Sequence, residues 1–376
     1  MKNILVEQDG QVRRTSATFY RGETTNFYPT DTSLEAPDAV VKYLTQGWMP
    51  PRPFVSKTTP IVAFGSCFAT NISNYLHKRG FNVLTRREGS AYVTKMGDGI
   101  VNTFAILQQF EWAWLNKVPQ GHFWHGYSAE EFGYDEAVRL ETRRLFDTAD
   151  VFIITLGLSE IWYDEPTGAV FWRAVPLDKF DESRHRFRVS TVEENKRNLH
   201  EIRRLIRQFR PDAHIVITIS PIPLTATFRP VSCVSANAVS KSILRAAVDE
   251  VYRETRPTDT KLHYFPSYDM VMYGFDNQWR DDRRHVYPHV LTFNMQVFEA
   301  YFCRGKLRVA DLAGAYANAR KLDLVVAREG HQSSAKVIAA NAAAESITPP
   351  KPRRLWRRVA GRVAREIKSA WASARK

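Results

Sequence analysis

Four short runs of almost wholly apolar residues, separated by stretches with helical spacing, constrain this chain more than any other feature. They are Ile61-Val-Ala-Phe64, Asp150-Val-Phe-Ile-Ile-Thr-Leu156, His214-Ile-Val-Ile-Thr-Ile219 and Leu262-His-Tyr-Phe265. A strand with one wet face alternates apolar and polar residues; these runs do not, so each predicts a strand buried on both faces. Phe81-Asn-Val-Leu84 reads as one further strand. The spacing predicts helices over Thr70–Arg79, Asn102–Leu115, 193–209 and Ser240–Arg253; in the third, Leu199, Ile202, Leu205, Ile206 and Phe209 share one side. Strands alternating with helices predict an α/β fold, a parallel sheet covered on both faces. In such sheets functional groups gather at the carboxyl ends of the strands. Three of the run ends carry a Ser or a Gly-containing turn: Gly65-Ser66, Gly157-Leu-Ser159 and Ser220-Pro221.

The flanks read differently. Residues 1–57 are polar and dotted with Pro, which predicts an extended leader laid over a domain spanning 58–305. Residues 306–346 are Ala-rich and read as a helical extension, and Thr348-Pro-Pro-Lys-Pro352 opens a basic tail over 347–376. From Lys351 to Lys376 ten Lys or Arg stand against Glu366 alone, so this segment holds +9 of the chain's +13. The high net charge therefore belongs to the tail and leaves the body unremarkable. Three cysteines, Cys67, Cys233 and Cys303, form neither a disulfide framework nor a CxxC zinc pair. The first residues lack the apolar core of a signal peptide, and no apolar run approaches the length of a membrane span. These features predict a cytoplasmic setting.

Several residues have the chemistry for a site. Ser66 sits between strand and helix, where Gly65 permits a tight turn and the helix N-terminus offers N–H groups to an oxyanion. The plainer reading is that Ser66 only caps that helix. Trp279-Arg-Asp-Asp-Arg-Arg-His285 holds Asp282 and His285 three residues apart. A Ser hydroxyl needs a base, and an imidazole base needs an acceptor on its other nitrogen, so one turn supplies both partners. A solvated charged loop is the alternative. Cys67, a thiol beside a helix N-terminus, is a rival nucleophile for His285, although a free Cys more often faces the core. His122 and His125 lack a clear third ligand, so no metal is expected. Glu160, Trp162 and His289 are candidates for binding substrate. So are Lys241 and Arg245, one helical turn apart, for which a solvated helix face is the competing reading.

The order Gly-Ser, then Gly-x-x-acid, then Asp-x-x-His over an α/β body resembles the SGNH-hydrolase superfamily. Within it the chain resembles the GSCFA family, whose naming pentapeptide stands intact as Gly65-Ser66-Cys67-Phe68-Ala69. Further matching segments are Asn102-Thr-Phe104, Thr155–Trp162, Ser220–Ala226, Ser240–Arg245 and Tyr264–Tyr268, so the resemblance covers roughly 57–300. It implies a three-layer α/β/α, flavodoxin-like sheet and a serine esterase or O-acyltransferase that needs no cofactor. Ser66 would be its nucleophile, with Asp282 and His285 as the activating pair. The implied oxyanion hole draws on the Ser66 N–H, on Gly97 or Gly99, and on the Gly157-Leu-Ser-Glu160 block. There Ser159 replaces the expected Asn, and Asn102 is the substitute amide. The implied substrate is an acylated saccharide or glycolipid. The competing classes are a non-catalytic carbohydrate- or lipid-binding module and a Cys67-dependent thiol hydrolase. In the tail, Trp356, Val359, Ala360, Val363, Ile367, Ala370 and Trp371 trace one face of a helix whose other face is cationic, which suits a helix lying on an anionic membrane surface at its cytoplasmic side. A disordered solubilising tail is the rival, and nucleic acid the least favoured partner.

Overall fold

The computed structural model describes residues 2–8, 10–17, 20–87, 89–118, 123–125 and 129–329. The expected tail helix at 353–376 and His122 lie outside the described residues. The chain opens with β1 (Lys2–Gln8) and β2 (Gln11–Ala17), paired antiparallel. Gly10 turns this hairpin at φ 75°, which a residue without Cβ adopts freely. The leader thus opens with a β-hairpin. A short helix, α1 (Asp31–Glu35), follows. The leader then seats Phe54 and Val55 against the N–H-accepting carbonyl of Phe302, with Val55 bridging Cys303.

The centre is a mixed α/β body around a parallel sheet. Its strands are β3 (Ile61–Phe64), β6 (Val151–Leu156), β9 (His214–Ile219) and β10 (Leu262–Phe265), in the order β10-β9-β6-β3. The fully apolar runs are buried as their composition demands. In β6, Phe152, Ile154 and Leu156 join the large core formed with α4 (Thr103–Leu115), α5 (Glu136–Thr148), α6 (Val192–Phe209) and α7 (Cys233–Thr255). α2 (Cys67–Lys78) packs on β3 and β6, and α8 (Ser267–Tyr273) and α9 (Pro288–Phe302) pack on each other. Helices flank the sheet, consistent with an α/β/α arrangement. Two small hairpins decorate it, β4 (Phe123–His125) with β5 (Glu130–Phe132) and β7 (Glu160–Asp164) with β8 (His185–Val189). α3 (Tyr92–Lys95) lies between the first helix of the body and α4. Among the described residues no helix is long and apolar enough to cross a membrane.

The expected strand at 81–84 is reduced to a single bridge, Val83 to Ile61, on the outer side of β3. The reason is chemical. The Thr85 hydroxyl donates to the Ala63 carbonyl at 3.1 Å and accepts from the Ala63 N–H at 3.4 Å, so a side chain completes the edge that a backbone ladder would otherwise serve. That bridge also fixes where the chain changes direction. It goes first to one side of β3 and then returns to the other side to form β6. The crevice between β3 and β6 at their carboxyl ends is thus a topological switch point.

At the opposite, amino edge, His214 and His263 meet through their rings at 3.0 Å, and Phe54 stacks on His214 with centroids 3.7 Å apart. Burial pushes His214 down to about 4, with Lys261 and Arg207 adding to it. Burial and the neighbouring His214 push His263 down to about 3. Both rings are therefore neutral when folded, while in the unfolded chain they take up protons below the ordinary 6.5. Stability is full above that value and falls as the pH drops from about 6.5 toward 3 to 4. Urea midpoints taken between about pH 7 and about pH 4 are expected to fall less in His263→Gln than in the wild type. Parallel pH curves would show that the pair does not titrate as described.

The extension after 305 is helical as far as it is described, in α10 (Leu312–Glu329). It is fastened to α9 by a buried contact. His289 donates through Nε2 to Asp323 Oδ1 at 3.1 Å, and Asp323 Oδ2 receives the Asp276 and Asn277 N–H groups. His289 is thus no substrate ligand; it sits in the first turn of α9, 2 % exposed, and braces two helices.

Candidate active site

The turn after β3 is built around Gly65. Its φ of 131° and its position against β6 exclude any side chain, since an added Cβ would stand 2.0 Å from the Thr155 carbonyl oxygen. This close approach delivers Ser66 to the mouth of the β3–β6 crevice. Ser66 N-caps α2, its Oγ accepting the Phe68 N–H at 3.2 Å. The cap reading is therefore what the geometry shows. It is compatible with chemistry, because an accepting hydroxyl keeps its own hydrogen free to donate. Among the described residues no acceptor takes the Ser66 N–H.

Ser66 lies on the wall of a cleft of about 450 Å³ whose other side is the β7–β8 hairpin and the loop after β9. Asn102, Glu160 and Trp162 line the same cleft. Asn102 caps α4 with its Oδ1, accepting the Ala105 N–H at 2.8 Å, and its Nδ2 donates to the Phe171 carbonyl at 3.3 Å. One of the two amide hydrogens remains for a ligand. Glu160 accepts the Thr227 hydroxyl at 3.0 Å, and burial raises its carboxyl above the usual range. Trp162 packs edge-on to Phe228, with centroids 4.8 Å apart, and against Phe187 across the hairpin. Its indole N–H is buried without a partner among the described residues.

Asp282 and His285 form the expected pair. The segment is a tight hairpin turn, with Trp279 bridged to Val286 and Arg283 at φ 52°. Asp282 Oδ1 accepts the Arg284 and His285 N–H groups at 3.0 and 2.9 Å, while Oδ2 meets His285 Nδ1. These donors hold the Asp282 carboxyl well below the usual carboxylate range, the His285 N–H first among them. With Nδ1 engaged by a carboxylate, Nε2 is left as the basic nitrogen. Arg284 places its side chain in the same cleft as Ser66, so the turn stands at the rim. His285 itself faces outward, its side chain 61 % exposed, and makes no hydrogen bond to Ser66.

Other expected positions are corrected. The Ser159 hydroxyl is fully buried and turned toward α7, where Ser240 Oγ stands 3.3 Å away and also accepts the Ser159 N–H at 2.8 Å. It is no oxyanion donor. The Gly157 N–H already donates to the Val101 carbonyl at 2.8 Å, and the Gly99 N–H to Met96 at 2.8 Å. Gly97 serves through its carbonyl, which accepts the Gly65 N–H at 2.6 Å and anchors the nucleophile turn. Of the expected donors, the Ser66 N–H and the Asn102 amide keep a hydrogen to spare on residues that line the cleft, which Gly97 does not. Arg245 lies outside the cleft, held between Trp48 and Tyr264 and paired with Asp269 at 3.3 Å. Cys67 is exposed on the cleft wall instead of facing the core. Although the residue is exposed, the protein around the cleft wall partly desolvates its thiol and, with the Asp98 charge, pushes it up, so little thiolate exists at neutral pH.

Lys241 is the largest departure from expectation. It is 1 % exposed, neither solvated nor in the cleft, and it lies beneath the cleft floor. Its Nζ donates to the Gly157 carbonyl at 2.6 Å and to the Ser220 carbonyl at 2.8 Å, tying the ends of β6 and β9 together. Burial lowers its ammonium to about 7. The signal was present in the sequence, since Lys241 falls in register with Leu244, Val248 and Val251 on the buried stripe of α7. Arg173 and Arg284 are cleft residues that the sequence reading passed over. Arg284 adjoins His285 and was findable; nothing marks Arg173.

The model of the GSCFA family matches residues 60–298, a span that holds Ser66, Asn102, Lys241, Asp282 and His285. No curated protein matches the chain.

Proposed function

The chain belongs to the GSCFA family, and from that premise we propose that it is a serine esterase or O-acyltransferase of the SGNH kind acting through an acyl-Ser66 intermediate. The observation that carries this reading is that two turns more than two hundred residues apart place Ser66 and Arg284 in one cleft. The second turn carries a preorganised Asp282–His285 pair. In the reaction the hairpin turn brings His285 Nε2 to Ser66, which gives up its hydroxyl proton as its oxygen attacks the ester carbonyl carbon. The oxyanion is met by the Ser66 N–H and the free hydrogen of the Asn102 amide. His285 returns the proton to the departing alkoxide as the C–O bond breaks, leaving acyl-Ser66. Water or a sugar hydroxyl then attacks that ester and gives its proton to His285, which passes it to Ser66 Oγ as the acyl–oxygen bond breaks, releasing the acid or a new ester and restoring the enzyme. No cofactor enters the sequence. An acylated saccharide or glycolipid suits a cleft whose far wall is aromatic, since a Trp162 face stacks on a sugar ring as readily as on an acyl chain.

A binding module that kept the fold is the second reading, favoured by the outward His285 and by the commitment of the Ser159, Gly99 and Gly157 donors elsewhere. A fluorophosphonate probe separates the two. Labelling is expected in the wild type and in Cys67→Ala and is expected to vanish in Ser66→Ala. Folded wild type that takes no label favours the binding module. Label retained in Ser66→Ala but lost in Cys67→Ala, together with inactivation by iodoacetamide, moves the chemistry to the thiol.

A further inference from the structure

Resting on that reading of Ser66, we infer that the ester this cleft accepts carries an anionic group, a carboxylate or a phosphate, held by Arg173 and Arg284 beside the nucleophile.

Most cations of this fold that lie near the core are paired. Arg139 meets Glu136, Arg184 meets Asp164, and Arg207 meets Asp259. Arg173 and Arg284 differ, for both line the cleft and neither enters an ion pair among the described residues. Arg284 is half-buried, and its Nε is shut away from water with no acceptor among the described residues. A guanidinium N–H desolvated in this way is costly unless an oxygen meets it. Both guanidiniums line the cleft that Ser66 lines, so an anion bound there would offer each of them an oxygen acceptor and lower the cost of holding two like charges in one cleft.

Two acids share the cleft. Asp98 bears on Cys67 from the same end and opposes the arginines there. Glu160 lies with Thr227, its burial favouring the uncharged form. Among the described residues neither Arg173 nor Arg284 forms a salt bridge with Glu160 or Asp98, so both forks remain open to a ligand. The same cleft has an aromatic part at Trp162, Phe187 and Phe228. The arginines would take the charged part of the substrate and the aromatic rings its uncharged part.

The test is binding to the full-length Ser66→Ala protein, which separates recognition from turnover. Phenylphosphonate, benzoate and benzyl alcohol present the same ring with a phosphonate, a carboxylate or no charge. Phenylphosphonate or benzoate is expected to bind about ten-fold more tightly than benzyl alcohol, and added salt is expected to erode the difference. The comparison of the two anions tells which oxyanion the pair prefers. Adding Arg173→Ala and Arg284→Ala is expected to erase the preference while leaving the weak binding of benzyl alcohol in place. Arg173→Ala alone, at an exposed position, is expected to keep the fold and to lower anion affinity by about three-fold. Equal affinity for the neutral probe overturns the inference, as does a charge preference that survives both substitutions, or no binding of any probe. Failure of the serine reading would appear separately, as fluorophosphonate label that persists in Ser66→Ala.

Discussion

A Gly65→Ala chain is expected to lose about 3–4 kcal/mol of stability, enough to unfold a marginal domain. Two independent effects act at this position. The backbone φ of 131° lies where L side chains are strained, a penalty on the order of 1–3 kcal/mol. In addition the new Cβ would stand 2.0 Å from the Thr155 carbonyl oxygen and 2.8 Å from its carbon. Both are backbone atoms of a central strand, so no rotamer change relieves the overlap. The turn would have to lift away from β6, breaking the 2.6 Å bond from the Gly65 N–H to the Gly97 carbonyl. Ser66 would move with it. Urea denaturation followed by circular dichroism measures the loss. A midpoint equal to that of the wild type would mean that the turn does not lie against β6, and the crevice would have to be redrawn.

The second large effect concerns Lys241. In Lys241→Met the stem is replaced by a side chain of similar reach, but the Gly157 and Ser220 carbonyls lose their donor. Leaving two buried acceptors unmet is expected to destabilise the fold by about 2–4 kcal/mol near neutral pH. The pH dependence is the sharper readout. Burial holds the folded amine at about 7, whereas in the unfolded chain it titrates near the ordinary 10.5. Between these values the unfolded state binds the extra proton, so this group makes stability rise with pH through the window. The neutral amine still has two hydrogens for its two carbonyls, so nothing is lost on deprotonation. The stability difference between wild type and Lys241→Met is therefore expected to widen by about 1.4 kcal/mol per unit from about pH 7 toward about pH 10. A difference that stays constant across that range would show an ammonium charged as in water. Because Gly157 and Ser220 both line the cleft, the same substitution is expected to loosen the floor on which the Ser66 turn rests.

Much of the architecture was legible because it depends on local pattern. The four apolar runs became the four parallel strands, since a strand shut between two helix layers has no polar face to show. Helices 102–115 and 193–209 appeared within a residue of the expected bounds, started by Asn102 and Thr191 as caps. The strand at 81–84 failed because a Thr85 side chain substitutes for backbone, which no pattern over four residues reveals.

In the site, the sequence by itself determined the chemical types. Gly65 had to precede Ser66 for a tight turn, and an Asp282 carboxylate three residues before His285 can take both that residue's backbone N–H and its ring. Only the tertiary structure decided which groups face the cleft. Ser159, Gly99 and Gly157 had the right chemistry and were lost to partners contributed by Ser240, Met96 and Val101. Lys241 and Arg245, neighbours on one helix turn, went to the cleft floor and to an aromatic sandwich. The physical reason is that a donor's direction is set by whichever acceptor the packing brings nearest. Ser240 and Val101, which take the Ser159 and Gly157 donors, come from segments more than fifty residues away along the chain.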